Sequence, residues 1–449
     1  MDVRACPSIS FFQIQRGAAE SDADLQHHES SLHSPITHFP LPMTWRIPLS
    51  ELDYGPEEEA AASRVLRSRW LSMGPETTAF ENEFAVYVGT KHAVAVSNGT
   101  AALHLAFLAL GIGPGHGIIQ PAVNFVASAN MTKAVGAVPL FADICSCDEP
   151  TISPESISCL LSSISSIPSA PPPKAVIVMH YGGYPCRMAE ISAICKEHGL
   201  ALIEDACHAI GARYLPPLTS GVRPPTSDSV GSLGDIACFS FFSNKNLATG
   251  EGGMITTCRD DLAEKVRLLR SHGMSTLTWD RHQGHAATYD VLAHGYNYRM
   301  DDLRSAIGRE QIKKLERNNQ RRREITALYW EKLAPLERHG WTLPFRKLAT
   351  LRPQLSALES AACHLMPLVA PDPAKRWRCA EILKQDAIQT SLHYPFIPGF
   401  SAFRETYLPL VRSHSASFCE RVTTLPLYPT MTKVQTEAVC NALASALGL

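Results

Sequence analysis

Residues 175–205 read AVIVMHYGGYPCRMAEISAICKEHGLALIED, and their order decides the fold. Residues 175–179 and 201–205 are continuous apolar, β-rich runs, and 188–197 between them has helical character. Two buried strands joined through a helix form a crossover unit, which leaves the strands parallel. The same alternation continues on both sides. Residues 92–97 read as a short strand, followed by a helix over about 100–110. Residues 235–242 and 253–257 read as two further strands, and 57–69 as a helix with Ala60, Ala61, Val65 and Leu66 on its apolar face. The expected class is α/β, a mostly parallel sheet flanked by helices.

Domain organisation follows from changes of texture. Residues 1–45 are polar and irregular and read as a disordered extension. A large domain is expected over 46–320 and a smaller C-terminal one over 321–449. A charged helix over 309–333 and a last helix over 433–447 belong to this change. Residues 162–173 and 216–232, rich in Ser, Pro, Thr and Gly, read as surface loops or insertions.

Composition removes several function classes. Among 449 residues, 41 Lys and Arg oppose 43 Asp and Glu, for a net charge of −2, so no basic field is available to hold nucleic acid. The longest apolar runs stop short of the roughly 20 residues needed to span a bilayer, so no membrane partner is expected. Thirteen cysteines show no CxxC spacing, so neither a zinc site nor a redox dithiol is suggested. The N-terminus lacks a basic start with an apolar h-region and carries Glu20, Asp22, Asp24 and Glu29, so the cytoplasm is the expected compartment.

Three features carry chemistry. Ser97-Asn98-Gly99-Thr100-Ala101-Ala102 follows a strand and opens a helix, whose free N–H groups and dipole suit a phosphate. The same residues also suit an ordinary N-cap, with Asn98 or Thr100 satisfying the first turn. Glycines 111, 113, 115 and 117 fail the dinucleotide fingerprint, because His116 takes its third position. Asp205 ends an apolar strand where α/β sheets place ligands, with His208 three residues on. Lys245 lies in Ser240-Phe-Phe-Ser-Asn-Lys-Asn-Leu-Ala-Thr-Gly-Glu-Gly-Gly253, among aromatic neighbours and glycines. Enclosure there would lower its pKa and free its amine to attack a carbonyl, although most lysines simply snorkel to the surface. A phosphate cradle, a strand-end carboxylate and a nucleophilic lysine together match the needs of pyridoxal 5'-phosphate.

In its motifs the chain resembles the DegT/DnrJ/StrS family of sugar aminotransferases. They are RWLSMGP at 69–75, SNGTAALHLA at 97–106, EDACHAIGARY at 204–214, GDIACFSFFSNKNLATGEGG at 234–253 and GYNYRM at 295–300. The resemblance covers about 45–447 and implies fold type I, the architecture of aspartate aminotransferases. It implies Lys245 as the Schiff-base lysine, Asp205 as partner of the pyridine nitrogen and His208 near the phenolic oxygen. It implies phosphate contacts from Thr100, Ala101 and Ser240, and stacking on the ring by Phe125. Asn297 corresponds to an asparagine lent by a second subunit, which implies a homodimer with shared active sites. Arg299 occupies a position that some relatives use for the same purpose.

The activity so implied is amino transfer from an amino acid, glutamate in most of the family, to a keto group of a nucleotide-linked deoxysugar. An aminocyclitol acceptor and a non-catalytic cofactor-binding sensor are the alternatives. Sugar dehydration, where histidine replaces the lysine, is opposed by Lys245. One departure is His393-Tyr-Pro-Phe-Ile-Pro398, where the family often carries a second histidine. Arg321-Arg322-Arg323 reads as a solvated helix face, with a nucleotide diphosphate as the other candidate.

Overall fold

A computed structural model describes residues 44–164, 170–214, 229–276, 284, 288–351, 357–404 and 414–447. The expectations for residues 1–43, 165–169 and 216–228 lie outside the described residues. At the ends of the stretch expected as a loop over 162–173, residues 162–164 close the helix Pro154–Ile164 and Pro173 opens a strand instead. Residues 45–449 form one compact unit.

Its centre is a seven-stranded sheet: β1 (His92–Val96), β2 (Gly117–Pro121), β3 (Val138–Ala142), β4 (Pro173–Met179), β5 (Ala201–Asp205), β6 (Ile236–Ser240) and β7 (Gly253–Thr257). The order is β1-β7-β6-β5-β4-β2-β3, and only the pairings of β7, with β1 and with β6, are antiparallel. The β4–helix–β5 crossover stands as expected, with Ala175 opposite Ala201 and Met179 opposite Asp205. The strand expected over 235–242 is shorter, ending at Ser240 because the chain then turns.

Both faces of the sheet are covered. Val176, Val178 and Leu202 pack with the helices Pro154–Ile164 and Met188–Glu197, whereas Ala175, Ile177 and Ile203 pack with the helix Gly99–Ala109. Side chains alternate along a strand, so this pattern directs Asp205 to the Gly99–Ala109 face and Glu204 to the opposite one. By the same period, Ser240 shares its face with Cys238 and Ile236, and therefore with Asp205. Two residues 35 positions apart in sequence thus reach one corner of the molecule.

The helix Asp302–Leu333 is longer than the expected 309–333 and runs through the expected domain boundary at 320. Its start is set by Asp301, whose side chain accepts from Arg304 N at 2.8 Å. Asp302 caps a different helix, Pro75–Val88, accepting from Gly74 N at 2.7 Å, Thr77 N at 3.0 Å and Thr77 Oγ1 at 2.7 Å. These bonds satisfy donors that have no carbonyl one turn earlier, and they tie the RWLSMGP segment to the GYNYRM segment. Beyond the long helix, β8 (Met366–Val369) and β9 (Val422–Leu425) pair antiparallel, with the helices Pro373–Gln385 and Lys433–Leu447 nearby. No helix among the described residues is long and apolar enough to cross a membrane.

Candidate active site

The parallel strands end along one edge of the sheet, and the turns after them bring the chemical groups together. Asn98 caps the helix Gly99–Ala109, its Oδ1 accepting from Ala101 N at 2.8 Å. The cap is therefore real, and it leaves the leading N–H groups of Gly99 and Thr100 without a carbonyl one turn earlier. A Cβ on Gly99 would lie 2.9 Å from Ser240 Cβ and 3.2 Å from Cys207 Sγ. A Cβ on Gly253 would meet the Asn98 carbonyl carbon at 2.6 Å. Both glycines are required for this close approach, which seats the helix start against the ends of β6 and β7.

Asp205 is buried and held from two sides, by Cys207 N at 3.2 Å and by Asn124 Nδ2 at 3.3 Å. His208, also buried, receives Gly182 N at 3.4 Å on Nδ1 and meets Tyr394 Oη at 2.7 Å through Nε2. Tyr394 in turn faces Phe125, ring centroids 5.8 Å apart. Phe125 is 53% exposed, so one ring face is open. The His393–Pro398 segment is fastened beside it by Ile397 N donating to Ala122 O at 3.3 Å.

Lys245 sits in the turn after β6, closed by Lys245 N to Phe242 O at 2.8 Å and Phe241 N to Gly252 O at 2.8 Å. Burial lowers the pKa of its amine, partly offset by Cys207 and Asp205. Burial also holds His208 and His364 well below the usual imidazole range, with Lys245 adding to the effect on both. His393 is pushed down to about 4, by burial first and Lys245 second. An unfolded chain takes up these protons near pH 6.5, while the folded one refuses them until lower pH. Stability is therefore complete above about pH 6.5 and falls as pH drops from there towards 4. Each pKa unit is worth about 1.4 kcal/mol, so the melting temperature at pH 5 is expected to fall at least about 5 °C below that at pH 7.5. Calorimetry at constant ionic strength checks this, and an unchanged midpoint would contradict neutral imidazoles.

The structure brings Thr100, Ala101, Asp205, His208, Ser240, Lys245 and Phe125 to this one edge. Asn297 stands apart: it is exposed, on a segment bridged to Ser271. Arg299 bridges to Val96 at the end of β1. The reading of Arg321–Arg323 as one solvated face needs correction. Arg321 is half-buried and pairs with Glu324 at 2.9 Å, Arg322 is buried and donates to Leu427 O at 2.8 Å, and Arg323 reaches Glu316 and Ala361 O. The three point differently because successive residues on a helix are 100° apart.

Four residues escaped the sequence reading. Glu204 is buried and accepts from Tyr214 Oη, Gly231 N at 2.8 Å, Leu233 N at 2.9 Å and Gly234 N at 2.6 Å, which explains the E and Y of EDACHAIGARY. Burial alone would raise its pKa, but bonds from His180, Tyr214 and Gly234 bring it below the usual value. Asn246 directly follows Lys245 and stands in a quoted motif, whereas His364 and Tyr394 reach His208 from distant segments, and nothing local assigns any of the three a role.

The groups fit pyridoxal phosphate. A helix start with free N–H groups, packed against Ser240 through Gly99, stands with an enclosed amine and a strand-end carboxylate at one edge of the sheet. Fold and site together define a pyridoxal phosphate-dependent transferase of the aspartate aminotransferase type. The chain belongs to the DegT/DnrJ/EryC1/StrS aminotransferase family, whose model matches residues 53–444. It is 36% identical over 400 residues to the spore coat polysaccharide biosynthesis protein SpsC of Bacillus subtilis (strain 168), covering 87% of this chain and 94% of that protein. Among solved structures, DesV of S. venezuelae in complex with ketimine intermediate is 30% identical, with a TM-score of 0.75 and coverage of 90% of this chain and 99% of that one. NtdA of Bacillus subtilis with bound cofactor PMP is 26% identical, with a TM-score of 0.72 and coverage of 88% and 82%.

Proposed function

We propose that this aminotransferase moves an amino group from glutamate to a keto group of a nucleotide-linked deoxysugar, in amino-sugar or polysaccharide biosynthesis. The observation that carries the chemistry is the enclosed Lys245 amine beside Asp205, at the edge where the helix Gly99–Ala109 starts. SpsC's role in spore coat polysaccharide biosynthesis supports the choice of substrate class.

Pyridoxal phosphate supplies an aldehyde to carry nitrogen and a conjugated ring to accept the electron pair left when a proton departs. Lys245 Nζ would hold the cofactor covalently when no donor is bound. Once free, Nζ would take the proton from the donor's α-carbon and deliver it to the carbon that carried the cofactor's aldehyde, a role typically worth ~10²–10⁴-fold. The lowered pKa suits this, because only the neutral amine can act as the base. Asp205 would hold a proton on the ring nitrogen. Thr100, Ser240 and the free helix N–H groups of Gly99 and Thr100 would position the phosphate, with Ala101 beside them but its N–H held by Asn98 Oδ1, while Phe125 would cover one ring face and His208 would lie near the phenolic oxygen.

On this reading the part over 46–320 binds the cofactor and that over 321–449 closes the site, supported by Tyr394 reaching His208. A homodimer with shared sites is supported by exposed Asn297, Phe242, Val291 and Leu292 on the described surface. A cytoplasmic location is supported by twelve free cysteines among the described residues.

The test is a visible absorption spectrum of the purified protein, before and after glutamate. A band that bleaches with glutamate and returns with a keto-sugar nucleotide is the expected result. Bleaching without turnover of any acceptor across a broad panel would favour the sensor reading, and turnover of a keto-cyclitol alone would change the substrate class.

A further inference from the structure

We propose that Asn246 is a positioning residue, which fixes the neighbouring His364 as a neutral imidazole with its proton on Nδ1. This rests on the reading of Lys245 as the cofactor-bearing lysine, and it concerns residues to which no role has been assigned above.

The argument starts from the amide of Asn246, which directly follows Lys245 and is 7% exposed. Its Nδ2 donates to Asn319 Oδ1 and to Ala362 O, both at 2.8 Å. Asn319 is itself fixed, because its Nδ2 donates to Ile210 O at 2.9 Å. A flipped Asn246 would turn an oxygen towards two oxygens, so the amide has one orientation. Its Oδ1 then faces His364 Nδ1 at 3.0 Å. A carboxamide oxygen only accepts, so Nδ1 is the donor and His364 Nε2 keeps a lone pair.

The surroundings explain why the partner is an amide and not a carboxylate. His364 is buried, and its ring centre lies 4.3 Å from that of His208. The titratable groups that face it are His208 from the turn after β5, Lys245 from the turn after β6, Arg322 from the helix Asp302–Leu333 and His393 from the C-terminal segment. All are basic. A proton on His364 would stand against the Arg322 guanidinium, and against any proton on Lys245, in a poorly solvated place. A carboxylate at position 246 would accept the same hydrogen bond while stabilising that proton. The amide accepts the bond and adds no charge.

Asn246→Asp tests this, because it keeps the shape and the acceptor but adds the charge. In the cofactor-loaded enzyme, the acid limb of the kcat profile is expected to move towards neutrality by about one pH unit or more, as His364 begins to titrate. Adding His364→Asn should remove the new limb, since asparagine places an N–H near the lost Nδ1 but carries no titrating ring. A folded Asn246→Asp enzyme with the wild-type pH profile would overturn the proposal, and so would a limb that persists in the double variant. A merely structural asparagine would change the melting temperature and not the profile.

Should Asn246→Asp fail to fold, single substitutions at position 364 decide. His364→Asn is expected to keep the wild-type visible band and its pH response. His364→Gln, whose amide reaches the place of Nε2 and not of Nδ1, is expected to alter both. Equal behaviour of the two would overturn the proposal. Failure of the underlying Lys245 reading is distinguishable, because the wild-type protein would then show no visible band after addition of pyridoxal phosphate.

Discussion

Lys245→Ala is expected to abolish both the visible band of the cofactor-loaded protein and its turnover, with kcat reduced by at least about 10⁴-fold. Two functions disappear together, the covalent hold on the cofactor and the base that carries the proton. The fold should not suffer. Burial lowers the pKa of Lys245, so the enclosure opposes its charge and does not depend on it. Alanine relieves that opposition, and the melting temperature should stay level or rise by a few degrees. Spectrum, kcat and calorimetry on one preparation separate the possibilities. Retained turnover would end the mechanism, and lost turnover accompanied by unfolding would say nothing for it.

Asp205→Asn ranks second. The substitution preserves size and keeps an oxygen for Cys207 N, which now donates to Oδ1 at 3.2 Å. It removes the charge proposed to hold a proton on the ring nitrogen, and without that proton the ring accepts electrons poorly. Losing one such electrostatic group in a water-poor site costs about 10²–10³-fold in kcat. The new amide also meets Asn124 Nδ2, now 3.3 Å from Asp205 Oδ2, so one of the two amides must turn. That rearrangement is local and costs about 1 kcal/mol of stability. Steady-state kcat is the decisive number. A loss of only a few-fold would make Asp205 a cap for the turn that follows β5, the structural alternative that its position always allowed.

Much of the fold was legible because its elements are strongly patterned. The helices Met188–Glu197 and Lys433–Leu447 and the strands β5 and β7 have the bounds their residues suggest. Short apolar runs between polar turns leave little choice of boundary. The sheet order was not legible, since β7 enters between β1 and β6 through pairings between distant segments. The start of the helix Asp302–Leu333 also escaped notice. Two consecutive aspartates offer no local clue that one caps its own helix and the other a helix more than 200 residues earlier.

The candidate site divides in the same way. Lys245, Asp205, His208 and the helix start at Gly99 lie in compact motifs, where residue type and the neighbouring strand or helix already suggest a role. His364 lies in none, and Asn246 and Tyr394 stand in such motifs without anything local that suggests a role for them. His364 is 118 positions from Asn246, and Tyr394 is 186 from His208. Each is an ordinary polar residue until folding places it. Arg322 is the opposite case, a residue in an evident charge run that folding buries.

What the sequence determined by itself is the α/β class, the principal elements and the inventory of acids, bases and glycines at strand ends, because these follow from short-range patterning. Only the tertiary structure decided which imidazoles stay neutral, which nitrogen of His364 carries the proton and how readily Lys245 gives up its own. Those properties depend on lost solvent and on partners from distant segments, and neither exists until the chain has closed around the site.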